Sequence, residues 1–231
     1  MKKEEFLSQI KGGLIVSCQA QPGEPLYCKE SSLMPFMARA AQEGGACGIR
    51  AEGLRDIRAI QEAVDLPVIG LIKIHYPGQE AYITPTMREV DLLADLGVKC
   101  LAADATLRRR IDGLSAPDYL AAIKKRHPDM LILADVALYE EGLAASLAGA
   151  DLVSTALSGY TAQSPRLKGP DFKLIRRLSL ALPVPVIAEG RIHSPAQAAR
   201  ALKEGAFAAV VGGAITRPLE ITRRFTEKMS Q

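Results

Sequence analysis

Eight short apolar segments recur along this chain, and each is followed by a stretch patterned as a helix. They cover Gly13–Ser17, Ala46–Arg50, Val68–Ile74, Cys100–Ala105, Leu131–Val136, Leu152–Ala156, Pro185–Glu189 and Ala208–Val211. The segments are continuous rather than alternating, which marks strands buried on both faces, as parallel strands are. Helix starts are signalled at Thr84-Pro85, Ser115-Ala116-Pro117 and Ser194-Pro195, where a hydroxyl precedes a proline tolerated in a first helical turn. Gly97, Gly149 and Gly205 each separate a helical stretch from the next strand, where positive φ is expected. That junction is a weak internal repeat of one βα unit.

Eight such units in 231 residues, with no long linker or composition break, predict an α/β protein. The expected fold is a single (β/α)8, or TIM, barrel domain over residues 1–231. An open doubly wound sheet is the alternative, although such sheets usually hold about five to seven strands. The eighth segment is the weakest, because Gly212-Gly213 interrupts it.

Composition narrows the function classes. With 48% hydrophobic and 24% charged residues the chain is no disordered polymer and has enough apolar surface for one sizeable core. No apolar run approaches the ~18 residues of a membrane span. Lys2-Lys3-Glu4-Glu5 followed by a short apolar stretch does not read as a signal peptide, so a cytoplasmic location without membrane partners is expected. Cys18, Cys28, Cys47 and Cys100 lack paired spacing and read as reduced thiols. A net charge of +3, no Trp and 5% aromatic residues argue against nucleic acid. Arg108-Arg109-Arg110, Lys124-Lys125-Arg126 and Arg223-Arg224 are therefore expected to be solvated loops and helix faces. Oligomeric state is left open; the apolar content is compatible with a homodimer.

In a (β/α)8 barrel the chemistry sits at the C-terminal ends of the strands. Here those ends carry Gln19, Arg50, Lys73, Asp104, Asp135, Ser154, Thr155 and Glu189, and Gly212-Gly213 closes the last strand. A rim with a purely structural role would not need a polar group on almost every strand. Lys73 interrupts an apolar run; desolvation there would lower its pKa and free the amine as a base or Schiff-base former. The competing reading is a rim lysine reaching for water, or a charge partner of Asp104 or Asp135. Glu189 ends a buried strand as a candidate acid/base or orienting carboxylate, against a structural ion pair at the barrel mouth. Gly190, Gly212, Gly213 and Arg217 fall where barrels commonly bind phosphate. His75, His127 and His193 show no metal-ligand spacing; Asp104, Asp135 and Glu189, from separate strands, are a set that could meet around a divalent ion, but the expectation is no metal.

Seven motifs then resemble the N-acetylmannosamine-6-phosphate 2-epimerase (N-acylglucosamine-6-phosphate 2-epimerase) family. They are Gly13-Leu14-Ile15-Val16-Ser17-Cys18-Gln19-Ala20, Gly70-Leu71-Ile72-Lys73, Ile83-Thr84-Pro85-Thr86, Ala103-Asp104-Ala105-Thr106 and Ala134-Asp135-Val136. Ser154-Thr155-Ala156-Leu157-Ser158-Gly159-Tyr160-Thr161 and Ile187-Ala188-Glu189-Gly190-Arg191 complete the set, and the likeness runs from Gly12 to Arg217. The resemblance implies a cofactor-free (β/α)8 isomerase of sialic-acid catabolism, exchanging N-acetylmannosamine 6-phosphate and N-acetylglucosamine 6-phosphate. It assigns the catalytic lysine and glutamate to Lys73 and Glu189, substrate contacts to Gln19, Arg50 and Asp135, and the phosphate-binding arginine to Arg217. The family commonly follows its lysine with Arg-Asp, where this chain has Ile74-His75. Competing readings are another phosphate-binding barrel, of pentulose-phosphate 3-epimerase or decarboxylase type, and a sugar-phosphate-binding barrel without catalysis.

Overall fold

The computed structural model describes residues 2–230. After helix α1 (Lys3–Ile10), strands and helices alternate: β1 (Leu14–Cys18), α2 (Met34–Glu43), β2 (Gly48–Glu52), α3 (Leu54–Ala63), β3 (Val68–Leu71) and α4 (Met87–Asp95). The order continues with β4 (Cys100–Asp104), α5 (Ala116–Arg126), β5 (Leu131–Asp135), α6 (Tyr139–Leu147), β6 (Leu152–Ser154) and α7 (Phe172–Ala181). It ends with β7 (Val186–Glu189), α8 (Pro195–Lys203), β8 (Ala208–Val211) and α9 (Pro218–Met229). The eight strands are parallel and close β1 to β8, as the eight apolar segments predict.

Inside the closed sheet the side chains alternate with period two, although the sequence does not. Ile15, Ile69, Cys100, Leu131, Leu152, Ile187 and Ala208 fill the interior, joined by Phe6 and Ile10 of α1, which plug its N-terminal end. Burying an aromatic or Ile side chain in this way stabilises by about 1.5–3 kcal/mol. Their strand neighbours Val16, Ile49, Leu101, Ile132 and Val153 point outward and pack under the helices. The parity therefore carries one inward layer of polar residues to the C-terminal ends. Ser17 pairs in register with Arg50, Asp104 with Asp135, and Asp135 with Ser154.

The junction glycines take the expected backbone: φ is +79° at Gly97, +98° at Gly149 and +101° at Gly205. Ser115 and Ser194 cap α5 and α8 through their hydroxyls. Thr84 does not cap a helix. Thr86 caps α4, with Glu89 returning the bond to its backbone N–H at 3.0 Å. Thr84 is instead fully buried at φ +43°, its hydroxyl donating to the Ala102 carbonyl (2.6 Å) and accepting from the Ile72 amide (3.3 Å). It pins the loop after β3 to β4, where the left-handed backbone is costly for a β-branched residue.

The basic clusters need a second correction. Arg110 is buried, donates to the carbonyls of Asp104 and Pro85, and lies 3.6 Å from the Tyr119 ring centroid. Arg108 reaches Asp104, and Lys124 bridges to Asp151. A long cationic side chain can bury its stem and still satisfy its head, which charge counting along a sequence cannot reveal. Among the described residues no helix is long and apolar enough to cross a membrane.

Candidate active site

Arg50, from β2, is the centre of the polar layer. It is 2% exposed and forms a two-pronged bond to Asp135 on β5, at 3.0 Å and 2.5 Å. The same guanidinium lies 3.0 Å from Glu189 on β7. Burial works against charge on Arg50, but Asp135 and Glu189 overcome it and hold the guanidinium firmly protonated. Burial likewise pushes the Asp135 carboxyl up, and Arg50 opposes that push. For Glu189 burial wins: with Asp135 adding to it and Arg50 opposing, its carboxyl is pushed up to about 7. Ser154 donates to Glu189 at 3.3 Å. Glu189 is thus poised to gain or lose a proton near neutrality.

Lys73 sits just beyond β3, its backbone bridged to Ile83. Its ammonium donates to the Gln19 side chain at 2.8 Å, and Gln19 in turn donates to Ser17 at 3.0 Å. Neither Asp104 nor Asp135 is its partner: Asp104 accepts from Thr106 and Arg108, and Asp135 is held by Arg50. Burial, reinforced by Arg50 and opposed by Glu52, lowers the Lys73 pKa. An amine that gives up its proton readily, beside a neutral amide, suits a base.

These groups share one cavity of about 300 Å³ at the C-terminal ends of the strands. Its volume is at the small end for ligand sites. Gln19, Arg50, Lys73, Glu189, Gly190, Gly212, Gly213 and Arg217 all line it. Asp135 does not: it lies beneath Arg50, fully buried, and reaches the cavity only through that guanidinium. At the other end Gly190 has φ +101°, which a side chain would strain. A Cβ on Gly213 would fall 2.1 Å from a Glu220 oxygen. Arg217 precedes α9 and pairs with Glu24 (3.0 Å) and Glu220 (2.9 Å). Arg217 and the glycine turns at Gly190 and Gly212-Gly213 thus share this end of the cavity with the Glu220 carboxylate.

The same wall includes residues that the strand-end reading missed: Ser17, Tyr82, Tyr160, Arg191, His193 and Thr216. Ser17 was accessible by parity, two residues before Gln19 on the same inward face. Tyr82 and Tyr160 come from loops, where no period aims a side chain. His193 bonds Arg224 at 2.7 Å, and burial with that arginine lowers its pKa. Of the Ile74-His75 pair, Ile74 packs against the core while His75 stacks on Tyr82 at 4.9 Å between ring centroids. Among the described residues no three His, Cys, Asp or Glu side chains are grouped to hold a metal ion.

Residues 34–231 match the family model described as "Putative N-acetylmannosamine-6-phosphate epimerase". A "Putative N-acetylmannosamine-6-phosphate 2-epimerase" of Caldanaerobacter subterraneus subsp. tengcongensis is 52% identical over 221 residues, spanning 96% of this chain and 92% of that one. The solved N-acetylmannosamine-6-phosphate 2-epimerase of Clostridium perfringens superposes with a TM-score of 0.91 at 47% identity, covering 96% of each chain. A thiamine phosphate pyrophosphorylase from Pyrococcus furiosus, 19% identical, shares the fold alone, with a TM-score of 0.61 over 98% of this chain and 100% of that one.

Proposed function

The chain belongs to the N-acetylmannosamine-6-phosphate epimerase family, and from that premise we propose that it is an isomerase exchanging N-acetylmannosamine 6-phosphate and N-acetylglucosamine 6-phosphate by proton transfer at C2. C2 bears the acylamino group and adjoins the latent carbonyl carbon. Inverting it requires a proton to leave one face and return to the other. That proton is weakly acidic, so the base must be neutral and the developing oxyanion must meet fixed positive charge.

Lys73 is the base, its amine freed by burial and by Arg50. Glu189 handles the second proton, at C2 or on a sugar oxygen, with a carboxyl that titrates near neutrality. Arg50 supplies the charge and Asp135 fixes its orientation, while Gln19 holds the lysine. Gly190, Gly212, Gly213 and Arg217 anchor the phosphate, whose binding energy brings C2 to the base. The observation that carries this reading is the placement of Lys73 and Glu189. They stand at the ends of β3 and β7, diametrically opposed in the closed barrel, with one cavity between them. We assign this reaction to the cytoplasmic breakdown of sialic acid and other amino sugars.

The test is incubation of N-acetylmannosamine 6-phosphate in deuterium oxide, followed by NMR with and without a chelator. The expected result is conversion to the gluco epimer with deuterium at C2, indifferent to the chelator. Epimerisation without label at C2 would refute proton transfer, and loss of activity on chelation would move the reading to a metal-dependent sugar-phosphate barrel.

A further inference from the structure

Arg108 takes no part in the proton-transfer set, yet its side chain is only 15% exposed. One nitrogen is 3.3 Å from Asp104 and another donates to the Tyr160 carbonyl. The guanidinium also lies over the Tyr82 ring, 5.2 Å from its centroid. A single planar fork thereby ties together the loops after β3, β4 and β6, using the several fixed donors that distinguish arginine from lysine. Tyr82 and Tyr160 both line the cavity. The Tyr82 wall is indexed to the lysine, because Ile74 donates to the Tyr82 carbonyl at 3.0 Å and Lys73 is bridged to Ile83.

The position of this wall follows from the closed barrel. The phosphate cradle is at β7 and β8, and β3 and β4 lie across the mouth from it. On a hexosamine ring C5, which carries the phosphate arm, is opposite C2, which carries the acylamino group. A sugar held by its phosphate at β7 and β8 therefore presents its N-acyl substituent toward Tyr82, on the β3 side of the mouth. We propose that Arg108 is a positioning residue that, anchored on Asp104 and the Tyr160 carbonyl, fixes Tyr82 against the N-acyl group and so limits its size. This rests on the epimerase reading above and adds to it a residue that sets acyl specificity.

The test compares N-acetyl- and N-butanoylmannosamine 6-phosphate as substrates of the wild type, Arg108→Ala, Arg108→Lys and Tyr82→Ala. The wild type should prefer the acetyl sugar by roughly ten- to a hundredfold in kcat/KM, the range that one or two methylenes in an apolar pocket command. Arg108→Ala and Tyr82→Ala should cut that preference about tenfold, mainly through a lower KM for the butanoyl sugar. Arg108→Lys should fall between, since an ammonium can hold Asp104 but not the Tyr160 carbonyl and the Tyr82 ring as well. For a variant too slow to assay, the ratio of the two sugars' dissociation constants replaces the ratio of rates. A wild type without acyl preference, or variants whose preference is unchanged while their rates fall, would overturn the proposal. A wild type that does not epimerise the acetyl sugar at all would overturn the proposed function itself.

Discussion

Replacing Arg50 by methionine separates the electrostatics of the site from its packing. The side chain is 3% exposed and its removal strips Asp135, which is 0% exposed, of two charge-assisted hydrogen bonds. Glu189 loses its 3.0 Å ion pair at the same time. Deleting one partner of a buried pair costs about 3–5 kcal/mol, because the other charge stays behind without compensation. In a chain of this length each kcal/mol moves Tm by about 2–4 °C, so Arg50→Met should melt about 6–20 °C below the wild type at pH 8. The deficit should depend on pH. Burial already raises the Asp135 carboxyl, and without Arg50 it rises further. A folded-state pKa above the unfolded value means that the native state binds the extra proton, so stability falls as pH rises through the window and returns as pH is lowered. The deficit should therefore shrink toward pH 4. Adding Asp135→Asn removes the orphaned charge and should recover more than half of the loss. Scanning calorimetry across pH on the single and double variants provides the assay. A single variant melting within about 2 °C of the wild type at pH 8, or losses that merely add in the double variant, would refute the reasoning.

Lys73→Ala should abolish C2 deuterium exchange while leaving Tm within about 2 °C, since a desolvated ammonium contributes little to folding; near-normal turnover would remove Lys73 from the role of base. Glu189→Gln should erase an inflection near pH 7 in kcat/KM together with most of the turnover, and a retained inflection would assign it to another group. Because the Glu189 pKa is raised from about 4.5 to about 7, its ionisation costs stability as pH rises through that window. Glu189→Gln should therefore melt above the wild type at pH 8 and level with it at pH 4, a crossover that circular dichroism can follow. Arg217→Ala should raise KM about ten- to a hundredfold with kcat changed by only a few-fold, as expected when uniform binding is lost; an equal fall in both would place Arg217 in the chemical step.

The barrel, and most of the residues proposed to act in it, were legible along the chain. Continuous apolar segments specify strands covered on both faces, and parallel strands joined by helices close in only a few ways. Lys73 and Glu189 stood out because a charge at the end of an apolar run is expensive unless it is used or paired. Asp135 was legible as a strand-end carboxylate, but its place beneath Arg50 was not, since β2 and β5 meet only across the barrel interior. Arg108, Arg110 and Thr84 were misread for a related reason. In sequence they are a basic run and a capping threonine, and only the folding of the β3 and β4 loops onto each other buries Thr84 and Arg110 and half-buries Arg108.

What the sequence by itself determined was therefore what depends on local pattern: the number and order of the βα units, the glycines that turn them, and the strand ends where polar groups collect. What the tertiary structure decided was which of those groups face one another. Closing the sheet sets the inward parity of every strand at once, bringing Arg50, Asp135 and Glu189 into contact from three separate strands. It also sets Lys73 across the cavity from Glu189 and carries both into low dielectric. Their proton affinities arise from that shared burial and from each other's charge, a property of the closed barrel that no residue carries alone.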